Sequence, residues 1–306
     1  MNKISVQTAA ILEVFGIDEG FKMIKEAGFD GVDFNAVDMA LPGGKIVRAE
    51  FDSIYDKSNE EILEYFRPYK EAAEKYGVSF CQAHAPFPSW VKDAPVTNDY
   101  MIRVFEKCLM VCNYIGCPYL IVHPFFPGYN DTLLPEVEWE LNIQQYSKLI
   151  PAIKKYGVTV CLENMFTANR RKVYAAICQN PDDVNRYIDT LNEMAGEKCF
   201  AFCLDTGHAL LVGNDIYTVI KKIGHRIETL HIHDNDGWDD QHLAPYMGRL
   251  DWNRFIMGMR EIGYRGVLNF ESHGVVSSFD REIVPEVLKL TAATGKLFAR
   301  KIAGGK

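Results

Sequence analysis

The sequence has no CxxC pair among its eight cysteines, which excludes a zinc-ribbon reading. The cysteines sit instead inside apolar runs such as VSFCQ, VTVCLE and KCFAFCLD, as buried free thiols of a reducing cytoplasm do. Positive charge is not in excess. There are 33 Lys and Arg against 41 Asp and Glu, a net charge of -8, so the chain as a whole does not attract phosphate backbones or anionic membranes. No apolar stretch approaches the length that spans a bilayer. Met1 to Gly20 holds one Lys, then Glu13, Asp18 and Glu19, with no long apolar segment, and the expectation is a cytoplasmic protein without membrane contact. No Ser/Gly linker and no low-complexity tract interrupts the chain, so residues 1–306 read as one domain. No GxGxxG follows the first strand candidate, which counts against an open dinucleotide-binding sheet.

What is present is a repeat. The segments EAGFDGVDF, KYGVSFCQAH, YIGCPYLIVH, KYGVTVCLEN, MAGEKCFAFCLD, KIGHRIETLHIH and EIGYRGVLNFES share one shape: the end of a helical stretch, a Gly, then a β-rich run. Gly28, Gly77, Gly116, Gly157, Gly196, Gly224 and Gly263 stand where a left-handed residue ends a helix. The runs that follow are rich in Val, Ile, Phe and Leu, as buried parallel strands are. With the opening KISVQTA they predict eight strands, over about 3–8, 31–35, 78–83, 118–123, 158–163, 199–205, 227–233 and 266–271. Amphipathic stretches such as NEEILEYFRPYKEAAEKY lie between them. The fold class is therefore α/β, a single (β/α)8 TIM barrel.

The strand ends carry chemistry. Strand three ends at His84, strand four at His123, strand five at Glu163 and strand six at Asp205, with His208 just beyond. Strand seven carries His231 and His233 two residues apart, so both point to one face. Strand eight ends at Glu271. Barrel strands open at their carboxyl ends into one mouth, so these residues are expected to converge while the strand bodies stay apolar. So many ionisable groups are costly to bury together without compensation, and a divalent cation is the simplest compensation. The stretch DNDGWDDQH after strand seven is too polar to continue it. It reads as a loop returning Asp240 and His242 to the mouth, with Asp236 and Asp239 as solvated turn residues.

These residues resemble the xylose-isomerase-like barrel superfamily of sugar (and sugar phosphate) isomerases and epimerases, inosose-processing enzymes and endonuclease-IV-type AP endonucleases. CLEN at 161–164, LDTGHA at 204–209, HIHD at 231–234, NFES at 269–272 and the loop DQHLAPYMGRLDW carry the resemblance. It implies one divalent ion (Mn, Zn, Co or Mg) on Glu163, Asp205, His231 and Glu271, with the two glutamates also moving the proton. It implies substrate binding by His208. The extra ligands of the trinuclear endonucleases match His84, His123, His208, Asp240 and His242. Our order of assignment puts His84, His123, His208, His233 and His242 with the substrate first, and His84, His123, Asp240 and His242 on an additional metal second. Two positions depart from the ketose 3-epimerases, which place a Glu and an Arg where this chain has Asn169 and Gly237. The basic run Arg170, Arg171 and Lys172 offers a dock for a substrate phosphate or carboxylate, or a solvated loop.

The function expected is a metal-dependent sugar isomerase or epimerase working through an enediolate, with Glu163 and Glu271 as acid and base. The rivals are an AP endonuclease or phosphoesterase, and a lyase or dehydratase acting on a keto-sugar or inosose. The expected partner is a small-molecule sugar and not nucleic acid; a homo-oligomer is left open. The aromatic stretches HAPFPSW and HPFFPGY either exclude water from the mouth or pack the barrel rim.

Overall fold

The computed structural model describes residues 1–128, 131–169 and 172–305. Ten strands form in it: β1 (Ile4–Gln7), β2 (Gly31–Phe34), β3 (Ser79–His84), β4 (Tyr119–Ile121), β5 (Thr159–Glu163), β6 (Phe166–Asn169), β7 (Lys172–Ala175), β8 (Phe200–Asp205), β9 (Ile227–His231) and β10 (Leu268–Phe270). Eight of them make one parallel sheet in the order β10-β1-β2-β3-β4-β5-β8-β9. The sheet closes through a parallel bridge between Ile232 and Phe270. Ile232 N–H donates to Asn269 O at 2.9 Å and Glu271 N–H donates to Ile232 O at 3.1 Å across that seam. The result is a (β/α)8 barrel, and each barrel strand lies within about two residues of its predicted span.

Helices end and strands begin as the glycine repeat requires. Gly28, Gly77, Gly116, Gly157 and Gly196 cap their helices in the left-handed conformation. Gly224 differs, with φ 63° and ψ -129°, because a 3-10 turn, Gly224–Arg226, intervenes before β9. The helix Asn59–Tyr76 shows how the outer layer is specified. Ser58 and Glu61 form a capping box at its start, which satisfies free N–H groups of the first turn. Ile62, Phe66, Tyr69 and Ala73 recur at helical spacing, and the rings of Phe66 and Tyr69 meet Phe34 of β2 at 6.1 and 5.1 Å.

Alternation along the strands separates two shells. Outward residues such as Val6, Val32, Phe34, Leu162, Phe202, Leu230 and Phe270 are buried against the helices. Inward residues Ile121, Cys161, Ala201 and Cys203 form a separate apolar floor inside the barrel. Above that floor the interior turns polar, with Ser5, Gln7, Asp33, Gln82, His84 and Asn269 all buried. The expectation that the strand bodies stay apolar is thus corrected: β1, β2, β3 and β10 carry inward polar side chains before they end, and these bond to one another across the barrel.

A second correction concerns the segment after Glu163. The sequence predicts a loop there, and the structure has an antiparallel hairpin of β6 and β7, with Asn169 paired to Lys172. Arg170 and Arg171, the proposed anion dock, lie outside the described residues. All eight cysteines are buried and free. Among the described residues no helix is long and apolar enough to cross a membrane.

Candidate metal centre

Nδ1 of His231 is the point on which the mouth converges. Glu163 Oε2 lies 3.1 Å from it, Glu271 Oε2 3.5 Å and Asp205 Oδ2 3.9 Å. Three strands deliver these groups: Glu163 ends β5, Asp205 ends β8 and His231 ends β9. Glu271 follows β10 directly, at the closing seam. His231 and Asp205 are fully buried, Glu163 is 1% exposed and Glu271 7%.

The remaining site residues of the sequence reading surround this point. His123 Nε2 is 3.3 Å from Glu163 Oε2, and His208 Nδ1 is 3.4 Å from Glu163 Oε1. His84 Nε2 is 3.6 Å from Glu271 Oε1. His233 Nε2 is 3.0 Å from Asp205. Asp240 and His242 do return to the mouth. Asp240 Oδ2 is 3.0 Å from His242 Nε2 and 3.4 Å from His208 Nε2, while His242 Nδ1 is 3.7 Å from Glu271 Oε2. The structure brings every one of them together. His233 and His123 lie just past the strand ends, not within the strands.

Local structure explains several of these placements. Asp205 accepts the N–H of His208 at 2.6 Å, capping the short helix Thr206–Leu211 and fixing where His208 points. His208 Nδ1 is 2.8 Å from the Asn164 carbonyl, and the Asn164 side chain in turn pairs with the Asp205 backbone. The ring of His233 lies on Gly207, where an added Cβ would sit 1.9 Å from Cε1. The glycine of LDTGHA is there because no side chain fits under that imidazole. Asp236 accepts the N–H groups of Trp238 and Asp239 in an exposed turn, which agrees with the solvated reading of that stretch.

One buried carboxylate holds the loop that carries Asp240 and His242. Asp234 accepts from the N–H groups of Asn235, Tyr246 and Leu250 and from Trp252 Nε1, at 3.0, 3.2, 3.0 and 2.9 Å. Removing it strands several donors at a fully buried position. Asp234→Ala is expected to lower the unfolding free energy by about 3 kcal/mol, read as a shift of the urea midpoint at constant slope; an unshifted midpoint would contradict this.

The aromatic stretches split between the two readings. Phe87 meets the His123 ring at 4.9 Å and Phe126 at 6.2 Å, at the mouth. Phe166, from the hairpin, meets His208 at 5.0 Å. Phe125 instead packs on Phe105 and Tyr146 in the core.

Charge is distributed as imidazolium against carboxylate. Burial pushes the Glu163 carboxyl up, but His231 and His123 outweigh it and hold it well below the usual range. Burial likewise opposes the Glu271 carboxylate, and His231, His242 and His84 bring it down to about 2. Burial pushes His208 and His231 down, yet Asp205, Asp240 and Glu163 raise His208, and Cys203 followed by Glu271 and Glu163 raises His231, both well above an ordinary histidine. Against the same burial penalty, Glu271 and Asp240 raise His242 to about 9.

A divalent cation fits this donor set. Glu163 Oε2, both ring nitrogens of His231 and Asp240 Oδ1 are buried and complete no well-directed hydrogen bond, so a cation that displaces the imidazole protons would find these atoms unsatisfied. Donor atoms of Asp205, His208 and His233, of His84, His123 and Glu163, and of His233, His242 and Glu271 each lie within 4.8 Å of one another. A buried His/Asp/Glu cluster able to chelate a metal therefore sits in the mouth.

The pH dependence follows. In protein stripped of metal, His242 contributes stability that is complete below its ordinary 6.5 and lost as pH rises through about 9. Glu271 contributes stability that is complete above its ordinary 4.5 and lost as pH falls through about 2. These two groups place the metal-free optimum between pH 4.5 and 6.5. A cation competes with the imidazole protons, so the rise in Tm on adding Mn²⁺ should grow from about pH 6 to pH 9. A rise that shrinks over that window would contradict imidazole ligation.

Three contributors escaped the sequence reading. Gln7 Nε2 donates to Glu271 Oε1 at 2.6 Å. The His273 ring meets His242 at 4.1 Å, tilted by 33°, and His242 stacks on His233 at 4.1 Å. Burial and the neighbouring His242 charge push His273 down to about 4. Asp33, at the centre of the polar interior, faces both His84 and His231.

The family described as the xylose isomerase-like TIM barrel matches residues 21–292. The chain is 22% identical over 298 residues to an inosose isomerase of Bacillus velezensis, covering 95% of this chain and 91% of that one. It is 29% identical over 155 residues to a probable endonuclease 4 of Mycoplasmopsis agalactiae, covering 48% of this chain and 49% of that one. Among solved structures, the 3-keto-D-glucoside 4-epimerase YcjR from E. coli superposes with a TM-score of 0.70 at 17% identity, covering 97% of this chain and 100% of that one.

Proposed function

The chain belongs to the xylose isomerase-like TIM barrel family, and from that premise we propose that it is a divalent-metal-dependent isomerase or epimerase of a sugar, a sugar phosphate or a related polyol ketone. The observation that carries the proposal is the set of Glu163, Asp205 and Glu271 facing one nitrogen of His231. Those four residues would hold the ion, which when bound supplies a Lewis acid to a carbonyl and its neighbouring hydroxyl.

The protein's own groups supply the proton chemistry. Glu163 and Glu271 come from β5 and from the end of β10, with β8 and β9 between them in the ring. Both are held in the carboxylate form near neutrality, so either can take the proton from the carbon next to the carbonyl. The glutamate that took the proton can return it to the neighbouring carbon, whereas delivery to the opposite face needs the other glutamate to take up a proton first. Gln7 fixes Glu271 from behind, and His208, raised well above an ordinary histidine, is a hydrogen-bond donor for a developing oxyanion. The similarity to the inosose isomerase over nearly the full length supports this class of substrate.

The test is a screen for exchange of a substrate C–H proton with solvent deuterium, over ketoses, aldoses, inososes and their phosphates. Metal-dependent incorporation at a carbon beside the carbonyl is expected with at least one of them. Its absence across the panel would count against the proposal.

A second reading is favoured by one feature: the donor groups form several trios, not one, as a multi-metal phosphoesterase would require. The likeness to a probable endonuclease 4 points the same way over half the chain. Duplex cleavage also demands many phosphate contacts, and the net charge of -8 offers no general attraction to them. We expect no incision of abasic duplex DNA by the metal-loaded protein. Efficient incision, lost in Glu163→Ala, would install the second reading in place of the first.

A further inference from the structure

Asp33 is the one carboxylate of the cluster that lies beneath the mouth and not around it. It is fully buried in β2, at the point where the register between β2 and β3 shifts, between Val32 and Asp33. Its Oδ2 accepts from Gln82 Nε2 and from Asn269 Nδ2, each at 3.0 Å. Asn269 is itself oriented by Ser5, whose hydroxyl donates to its Oδ1 at 2.7 Å. No Lys or Arg pairs with Asp33 among the described residues; its ion-pair partners are His84 and His231. A carboxylate buried this way is costly, and an apolar residue would serve stability as well or better. The arrangement of its neighbours says what it is kept for.

The two imidazoles stack at 4.4 Å, with 17° between their planes. Each turns a different nitrogen down to Asp33. His84 Nδ1 is at hydrogen-bond distance from Oδ1, 3.2 Å, and His231 Nε2 lies 3.3 Å from Oδ2, an ion-pair contact that completes no well-directed hydrogen bond. The opposite nitrogens then face the mouth: His231 Nδ1 towards Glu163, Asp205 and Glu271, and His84 Nε2 towards Glu271. A carboxylate that accepts one N–H of an imidazole fixes which nitrogen is left as a lone-pair donor and raises its basicity.

We propose that Asp33 is a positioning residue for the metal centre, holding the Nε2–H of His231 and the Nδ1–H of His84 so that their other nitrogens are presented to the cation and the substrate. Donor atoms of Asp33, His84 and His231 also lie within 4.8 Å of one another; the proposal gives the Asp33 carboxylate to the two imidazole N–H groups and not to the ion. The inference rests on the metal reading above, and adds that the affinity of the centre is set from beneath the mouth by β2.

The test is Zn²⁺ affinity by competition with a chelating dye, for wild-type and Asp33→Asn. The amide keeps the size of the carboxylate but cannot accept from both rings and from both amide donors. The affinity is expected to fall about 10- to 100-fold. In Zn²⁺-loaded wild-type protein labelled with ring ¹⁵N-histidine, His231 should carry its proton on Nε2 and its metal on Nδ1, and His84 should keep its proton on Nδ1. A merely structural role for Asp33 does not predict these tautomers. Affinity within about twofold of wild-type in folded Asp33→Asn overturns the inference. If that variant does not fold, the wild-type spectra decide, and a His231 proton on Nδ1 overturns it. Wild-type protein that takes up no Zn²⁺ overturns the metal centre and this inference with it. Wild-type uptake matched by the variant overturns this inference alone.

Discussion

Glu271→Gln and Glu163→Gln will each lose about three orders of magnitude or more in substrate C–H exchange. General acid or base catalysis by one placed side chain is worth about 10²- to 10⁴-fold, and both residues also face His231 Nδ1 as ligands. The two losses should not multiply in the double variant, because either single change already breaks the transfer from one carboxylate to the other. The folded state should tolerate the changes, since each amide is isosteric with the carboxylate it replaces. In Glu271→Gln the new amide would still find a partner in Gln7, which now bonds Glu271 Oε1. Exchange at the wild-type rate in Glu271→Gln would contradict its metal role and its proton role together.

The legibility of this site in the sequence has a physical basis. A barrel strand is buried on both sides, so a His, Asp or Glu at its end stands out against Val, Ile and Phe. That contrast marks His84, His123, Glu163, Asp205, His231 and Glu271, and the barrel topology brings them together. Asp33 and Gln7 escape for the converse reason: they sit inside strand candidates, where a lone polar residue looks like noise. A signal is available. Ser5 and Gln7, Gln82 and His84, His231 and His233, and Asn269 and Glu271 are polar pairs two residues apart, and only positions on one face share that spacing. His273 escapes because it follows the last strand on a short helix, His273–Ser278, where no alternation applies. The hairpin of β6 and β7 is hidden because NRRK reads as a turn whether or not strands flank it.

Stripping the metal should cost the protein a large part of its stability. The mouth buries Glu163, Asp205 and Glu271 with His84, His208, His231 and His233, above the buried Asp33, and without a cation the carboxylates are balanced by protonated imidazoles at a desolvation cost. Free metal at a thousand times its dissociation constant stabilises the native state by about 4 kcal/mol. Mn²⁺ or Zn²⁺ added to chelator-stripped protein should therefore raise the Tm by several degrees, and Asp205→Asn should abolish most of that rise. Equal Tm values for stripped and loaded wild-type protein would mean that the cluster is satisfied by its own protons.

The most direct test of the account is a titration of chelator-stripped protein with Mn²⁺, following deuterium incorporation into the best substrate of the screen. The account predicts no exchange at zero metal, a linear rise, and a break at one equivalent per chain, with Glu163, Asp205, His231 and Glu271 each required for it. Exchange that proceeds without metal, or a break at two or three equivalents accompanied by cleavage of abasic DNA, would contradict it.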